Sequence, residues 1–121
     1  MTDTTALVER YITAWNAESA ESRAATVAEV WAEDGGYTDP LVSVRGRDEI
    51  AAVLAGARAQ FAGFTFRLAG PVDAHHDTAR FTWELVPAAG GEALVVGFDV
   101  IRVDGDGRIH DVYGFLDKVP A

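Results

Sequence analysis

Apolar residues recur every three or four positions up to Phe61 and alternate after Gly63. The first period predicts helices and the second predicts strands. Leu7, Val8, Tyr11, Ile12 and Trp15 give an amphipathic first helix over residues 4–17, capped by Asp3 or a nearby threonine. Ser19 caps a second helix that turns Ala24, Val27, Val30 and Trp31 inward, and Gly35-Gly36 reads as its stop. Tyr37-Thr38-Asp39-Pro40 follows as a short edge strand or extended corner, because Pro40 cannot donate to a ladder and biases Asp39 to extended backbone. Gly46 opens a third helix. Asp48 and Glu49 sit in its first turn, where acids suit the dipole, and Ile50, Val53, Leu54, Ala57 and Phe61 form its apolar face up to Gly63.

Beyond Gly63, Phe64, Phe66 and Leu68 alternate with polar residues until Gly70-Pro71 interrupts, and residues 72–75 resume the strand. A second strand covers 79–86, with Phe81, Trp83 and Leu85 on one face. Residues 94–103 form a third, apolar enough to be buried on both faces and broken only by Asp99 and the late Arg102. Asp104-Gly105-Asp106-Gly107 is a hairpin turn into a last strand over 108–117. There Asp111, Tyr113, Phe115 and Asp117 oppose Val112, Gly114 and Leu116. Helices first and antiparallel hairpins after make an α+β layout, with the helices covering one face of a curved sheet.

Asp99 shares its face with Val95, Gly97, Ile101 and Val103. An ionised carboxylate left unpaired there would cost several kcal/mol, roughly. It is therefore neutral, partnered, or at the wall of a cavity that uses it, and Gly97 leaves room beside it. The plainer alternative is an acid near a strand end, solvated or paired to an arginine.

Composition narrows the classes. A chain of 121 residues without cysteine is read as one domain, 1–121, with no thiolate chemistry, disulfide or cysteine zinc site. Nineteen acids against ten bases give a net charge of −9, which argues against nucleic-acid and membrane-surface partners. Met-Thr-Asp-Thr-Thr has neither a basic nor an apolar leader region, and no run reaches membrane-spanning length, so a soluble cytoplasmic protein is expected. His75-His76-Asp77 reads as a hairpin tip rather than a metal site, since neighbours on a strand diverge. Asp104-Gly-Asp106-Gly lacks the later acid of a calcium loop. No phosphate loop, serine elbow or His-Glu-x-x-His occurs. Neither a metal nor a cofactor is expected.

What remains is Tyr11, Asp39 and Asp99, on three different elements. Taken singly, Tyr11 suits a core tyrosine and Asp39 a plain turn. Taken together they can form a proton acceptor beside a protonated acid and a phenol. Arg10-Tyr11-x-x-Ala14-Trp15-Asn16-Ala17, Tyr37-Thr38-Asp39-Pro40 and Val95-Val96-Gly97-Phe98-Asp99 come in this order. The pattern resembles the nuclear transport factor 2-like superfamily, nearest its ketosteroid isomerase and SnoaL-like polyketide cyclase branches. The resemblance covers nearly the whole chain. It implies a cone-shaped, cystatin-like α-β roll: three N-terminal helices packed on a curved, mostly antiparallel sheet that encloses a pocket, often dimeric through the sheet.

By that resemblance Asp39 is the general base, and Tyr11 and Asp99 form the oxyanion hole. The implied partner is a small apolar carbonyl compound, steroid-like or polyketide-like, with a homodimer as the assembly. Trp15, Trp31, Tyr37, Phe66, Phe81, Trp83, Phe98, Tyr113 and Phe115 are the pool for substrate-binding walls. About half of them are expected to be simple packing. The match departs at the third helix, where those isomerases often carry a supporting tyrosine and this chain has Leu54. The epoxide hydrolase branch fits less well, since it needs an arginine at the Gly97 position. A non-catalytic ligand-binding module and a filled dimerisation scaffold of the same fold are the competing expectations.

Overall fold

The computed structural model describes residues 3–120. The single-domain reading also spans residues 1, 2 and 121, and the leader reading rests partly on residues 1 and 2; these lie outside the described residues. In chain order the elements are α1 (Thr4–Asn16), α2 (Ala20–Val30), β1 (Trp31–Thr38), β2 (Ser43–Arg45), α3 (Arg47–Gln60), β3 (Phe64–His75), β4 (Thr78–Pro87), β5 (Val95–Val103) and β6 (Ile109–Lys118). The strands form one sheet in the order β2-β1-β6-β5-β4-β3. All neighbours are antiparallel except β1 and β6, which run parallel. The three helices cover one face of this curved, unclosed sheet.

The helix starts follow from local chemistry. The Asp3 carboxylate accepts from the Ala6 N–H at 3.1 Å, and the Ser19 hydroxyl accepts from the Ser22 N–H at 3.0 Å. Each satisfies an orphan donor of a first turn. Leu7, Val8, Tyr11, Ile12 and Trp15 bury as one stripe against the sheet. The amide of Asn16 then joins α1 to β3. Its N–H donates to the Phe66 carbonyl at 2.8 Å and its oxygen accepts from the Phe66 N–H at 2.8 Å, as a neighbouring strand would. This clamp fixes where the preceding turns of α1 sit over the sheet.

Several expectations are corrected. Trp31 starts β1 rather than ending α2, and Gly35-Gly36 lies within that strand. A side chain at Gly35 would put its Cβ 2.9 Å from the Trp31 indole, so the glycine serves close packing and not a stop. Tyr37 and Thr38 end β1, which is no edge because it is flanked by β2 and β6, and Asp39-Pro40 form the extended corner after it; β2 and β3 are the edges. Ala24 is exposed, and Arg23 beside it is buried together with Val27 and Val30. The Arg23 guanidinium donates to the Ala17 carbonyl at 2.9 Å and reaches inward to do so. α3 ends at Gln60, and Gly63 lies in the loop beyond it.

β3 is one strand with a register shift between Ala69 and Asp73, which bends it around the helices. His75 ends it, and His76 and Asp77 form the hairpin turn. β5 begins at Val95. Its inward positions Val95, Gly97, Asp99, Ile101 and Val103 are buried, but its outward Val96, Phe98 and Val100 are only half-buried and Arg102 is exposed. The core lies between the helices and the inner face, and the outer face has no cover among the described residues.

Candidate functional site

Between α1, α3 and the inner face of the sheet lies a cavity of about 750 Å³. Its walls are mostly apolar, including Ile12, Trp15, Phe66, Leu85, Val95 and Leu116. Four polar side chains reach it from its inner end: Tyr11, Tyr37, Asp39 and Asp99. Glu49, Leu41 and Pro120 also line it, nearer solvent.

Asp99 takes its position from strand parity, which turns it inward from the middle of β5. It is 2 % exposed. The buried Tyr11 hydroxyl, from α1, donates to Asp99 Oδ2 at 2.6 Å. Asp99 Oδ1 has no hydrogen-bond partner among the described residues. Two glycines make the seat. Gly97 lies under Trp83, whose indole would come within 2.0 Å of any Cβ there. Gly114 faces Asp99 across the β5–β6 ladder, and a Cβ there would stand 2.9 Å from Asp99 Oδ1 and 3.4 Å from the Asp39 Cβ. The missing side chain of Gly114 thus leaves room for both acids beside it.

Asp39 follows β1 and is held by three donors. Its Oδ1 accepts from the N–H groups of Leu41 at 2.8 Å and Val42 at 3.0 Å, and its Oδ2 accepts from the Tyr37 hydroxyl at 2.7 Å. The first two form the Asx-type turn that Pro40 pre-sets. The same residue therefore makes a turn and lines the cavity.

The electrostatics follow from burial. Loss of water raises the Asp99 pKa to about 6. The Tyr11 hydrogen bond pulls it down, as does the nearby Trp83 indole N–H, which lies outside hydrogen-bonding geometry; the Asp39 charge pushes it up. Burial, then the charge of Asp99, holds the Tyr11 hydroxyl well above its ordinary range. Tyr37 is raised by burial, then by Asp99 and Asp39. Both phenols stay protonated donors at neutral pH.

Tyr11, Asp39 and Asp99 therefore meet at one cavity, with Trp15, Tyr37, Phe66 and Trp83 among its walls. Five of the proposed wall residues lie elsewhere. Trp31 and Phe81 are fully packed core, with ring centres 5.3 and 5.6 Å from that of Tyr11. Tyr113 and Phe115, 47 % and 56 % exposed, project from the outer face with Phe98. The pairing of Asp99 with Gly114 explains this, because it assigns Gly114 and its even-numbered neighbours to the inner face. Leu54 is buried in the core, so the phenol that donates to Asp39 comes from Tyr37 on β1. Glu49, Gln60 and Gly114 were not read as site residues in the sequence. The signal for the first two was the spacing of Glu49, Ala52, Val53, Gly56, Ala57 and Gln60, a second helical face beside the apolar one.

Comparisons with known proteins agree with this architecture. The sequence model of the SnoaL-like domain matches residues 8–112. No curated protein matches by sequence. A SnoaL-like family protein from Agrobacterium tumefaciens str. C58, provisionally named an isomerase, is 40% identical, with a TM-score of 0.88 over 93% of this chain and 96% of that one. A protein from Sinorhizobium meliloti, provisionally named a polyketide cyclase, is 18% identical and shares the fold, with a TM-score of 0.69 over 89% and 92% of the two chains. An NTF2-like protein with a cystatin-like fold from Novosphingobium aromaticivorans gives a TM-score of 0.69 at 24% identity, over 92% and 77%.

Proposed function

This chain belongs to the SnoaL-like domain family, and from that premise we propose that it moves a proton α to the carbonyl of a small apolar compound, steroid-like or polyketide-like. The observation that carries the reading is the placement of two carboxyls beside Gly114 in an apolar cavity, one of them bonded to a phenol. The name of the Agrobacterium relative supports an isomerase.

Asp39 accepts the α proton. The C–H electron pair moves into an enolate. Tyr11 and a protonated Asp99 donate to the enolate oxygen, and the proton returns from Asp39 at a second carbon. The two acids divide these roles because Asp99 is dry and Asp39 is held by local donors. A ligand that expels the remaining water favours the protonated Asp99 further. In the free protein this donor is lost as the pH rises through about 6, so kcat/KM falls above that pH. A homodimer through the outer face, where Tyr113 and Phe115 are exposed, belongs to the same reading.

A second reading is a binding module without turnover. It is favoured by the three donors that already occupy the Asp39 oxygens. Asp39→Asn against wild type on a 3-keto-Δ5 steroid separates the two. Loss of the base should lower the rate by about 10²–10⁴-fold. Equal rates end the proton-transfer reading for that substrate, and a binding module would hold phenolic steroid analogues with no turnover.

A further inference from the structure

Apart from tyrosines, every ionisable side chain that lines the cavity is an acid: Asp39, Asp99 and Glu49. No lysine, arginine or histidine lines it among the described residues. The charge of Asp39 acts on Asp99, and Asp99 Oδ1 is buried without a hydrogen-bond partner among the described residues. The ionisable groups other than tyrosine are thus of a single sign, from the buried Asp99 to the exposed Glu49.

α3 supplies one wall as a stripe at intervals of three and four: Glu49, Ala52, Val53, Gly56, Ala57 and Gln60. The middle of the stripe is small. A Cβ built on Gly56 meets nothing within 4 Å. The polar ends stand about 16 Å apart along the axis, at 1.5 Å per residue. Glu49 makes no hydrogen bond or ion pair among the described residues, although it sits in the first turn of the helix.

We propose that α3 sets specificity: a flat ring system with no anionic group lies along its small residues, and a hydroxyl or ammonium on that ligand donates to Glu49. This rests on the ligand-site reading above and adds the charge class of the ligand and the residue that senses it. A carboxylate, phosphate or sulfate on the ligand is rejected by repulsion from Asp39 and Glu49, a discrimination made by an unfavourable contact. Glu49 is exposed, so its own share is a modest one.

The test is binding of four matched probes, followed by calorimetry: 2-acetylnaphthalene and its 6-hydroxymethyl, 6-aminomethyl and 6-carboxylate derivatives. In the wild type the carboxylate should bind at least about tenfold more weakly than the hydroxymethyl probe, and the aminomethyl probe several-fold more tightly. Glu49→Lys should narrow the first gap and reverse the second. Gly56→Leu fills open space on the stripe without touching the core. It should weaken all four probes with an unchanged circular dichroism spectrum. Equal binding of carboxylate and hydroxymethyl probes by the wild type overturns the proposal, and so does an unchanged order in Glu49→Lys. Undiminished binding by Gly56→Leu removes α3 as the wall. If the parent ketone does not bind the wild type at all, the ligand-site reading falls, and the proposal falls with it.

Discussion

Asp99 and Asp111 are both buried aspartates, 2 % and 7 % exposed, on neighbouring strands of one sheet. They face opposite sides and behave in opposite ways. Asp99 faces the cavity, where its one hydrogen bond comes from a neutral phenol, and burial dominates. Asp111 faces outward beneath Arg45 and Arg102, which donate to it at 3.0 and 3.1 Å, with His110 Nδ1 at 2.6 Å. Burial pushes its pKa up as well, but the donors from His110, Arg45 and Arg102 together hold it below the ordinary range. The short contact to Oδ2 means that His110 carries its proton on Nδ1. The Arg102 guanidinium beside that nitrogen is then a neighbour and not a donor to it. Burial alone does not decide what an acid does. The charge of its donors does, and only the acid with neutral donors is left able to exchange a proton near neutral pH.

Stability against pH sharpens this contrast most. The folded pKa of Asp99 is raised to about 6, so the native state binds the proton more tightly than the unfolded chain does. Stability therefore falls as the pH rises from about 4 to 6, and the ionised acid costs about 3 kcal/mol above that window. Asp99→Asn keeps an acceptor for Tyr11 and removes the charge. It should be more stable than wild type by up to about 3 kcal/mol at pH 7, with no difference below about pH 4. Urea unfolding at the two pH values measures this, and equal midpoints at pH 7 would mean that Asp99 is better solvated than its burial implies.

Asp111→Asn should move the other way. A lowered folded pKa contributes stability above the ordinary carboxylate range, which is lost as the pH falls through it. The arginines are about half exposed, so the expected loss is modest, about 1–2 kcal/mol at pH 7. The same unfolding series reads it, and a stabilised variant would break the contrast.

The smallest effect is that of Tyr11→Phe. Its hydroxyl lowers the Asp99 pKa, so its removal should carry that titration upward from about 6, by on the order of 1 kcal/mol of lost hydrogen bonding. Trp83 lies beside Asp99, and its fluorescence against pH should report the shift. A midpoint that stays or falls would remove Tyr11 as the partner of Asp99 in solution.

Much of this was legible in the residues. The α1 stripe, the Asp3 and Ser19 caps, the irregularity at Gly70-Pro71 and the face that Asp99 shares with Val95, Gly97, Ile101 and Val103 are local patterns, and local patterns survive folding. Gly35-Gly36 misled because a glycine pair looks alike as a helix stop and as a close-packed strand. Only the pairing of β1 with β6, far along the chain, distinguishes them. Tyr113 and Phe115 could be set opposite Gly114, but which set faced the helices depended on the register with β5. Arg23 was hidden for another reason, since a charged residue turned toward a carbonyl leaves no apolar signature. Glu49 and Gln60 needed the cavity before their spacing meant anything.

The parallel partnership of β1 and β6 has a consequence for how the protein comes into being. Asp39 hangs from the end of one strand and Gly114 belongs to the other, so neither acid has its surroundings until synthesis has passed the whole of β6. A nascent chain stalled before Ile109 holds every residue of the proposed chemistry and yet lacks the strand that joins β1 to β5. Such a chain also leaves the edges of β1 and β5 bare to strangers. The seat of the two acids is therefore completed late, when β6 pairs with both β1 and β5.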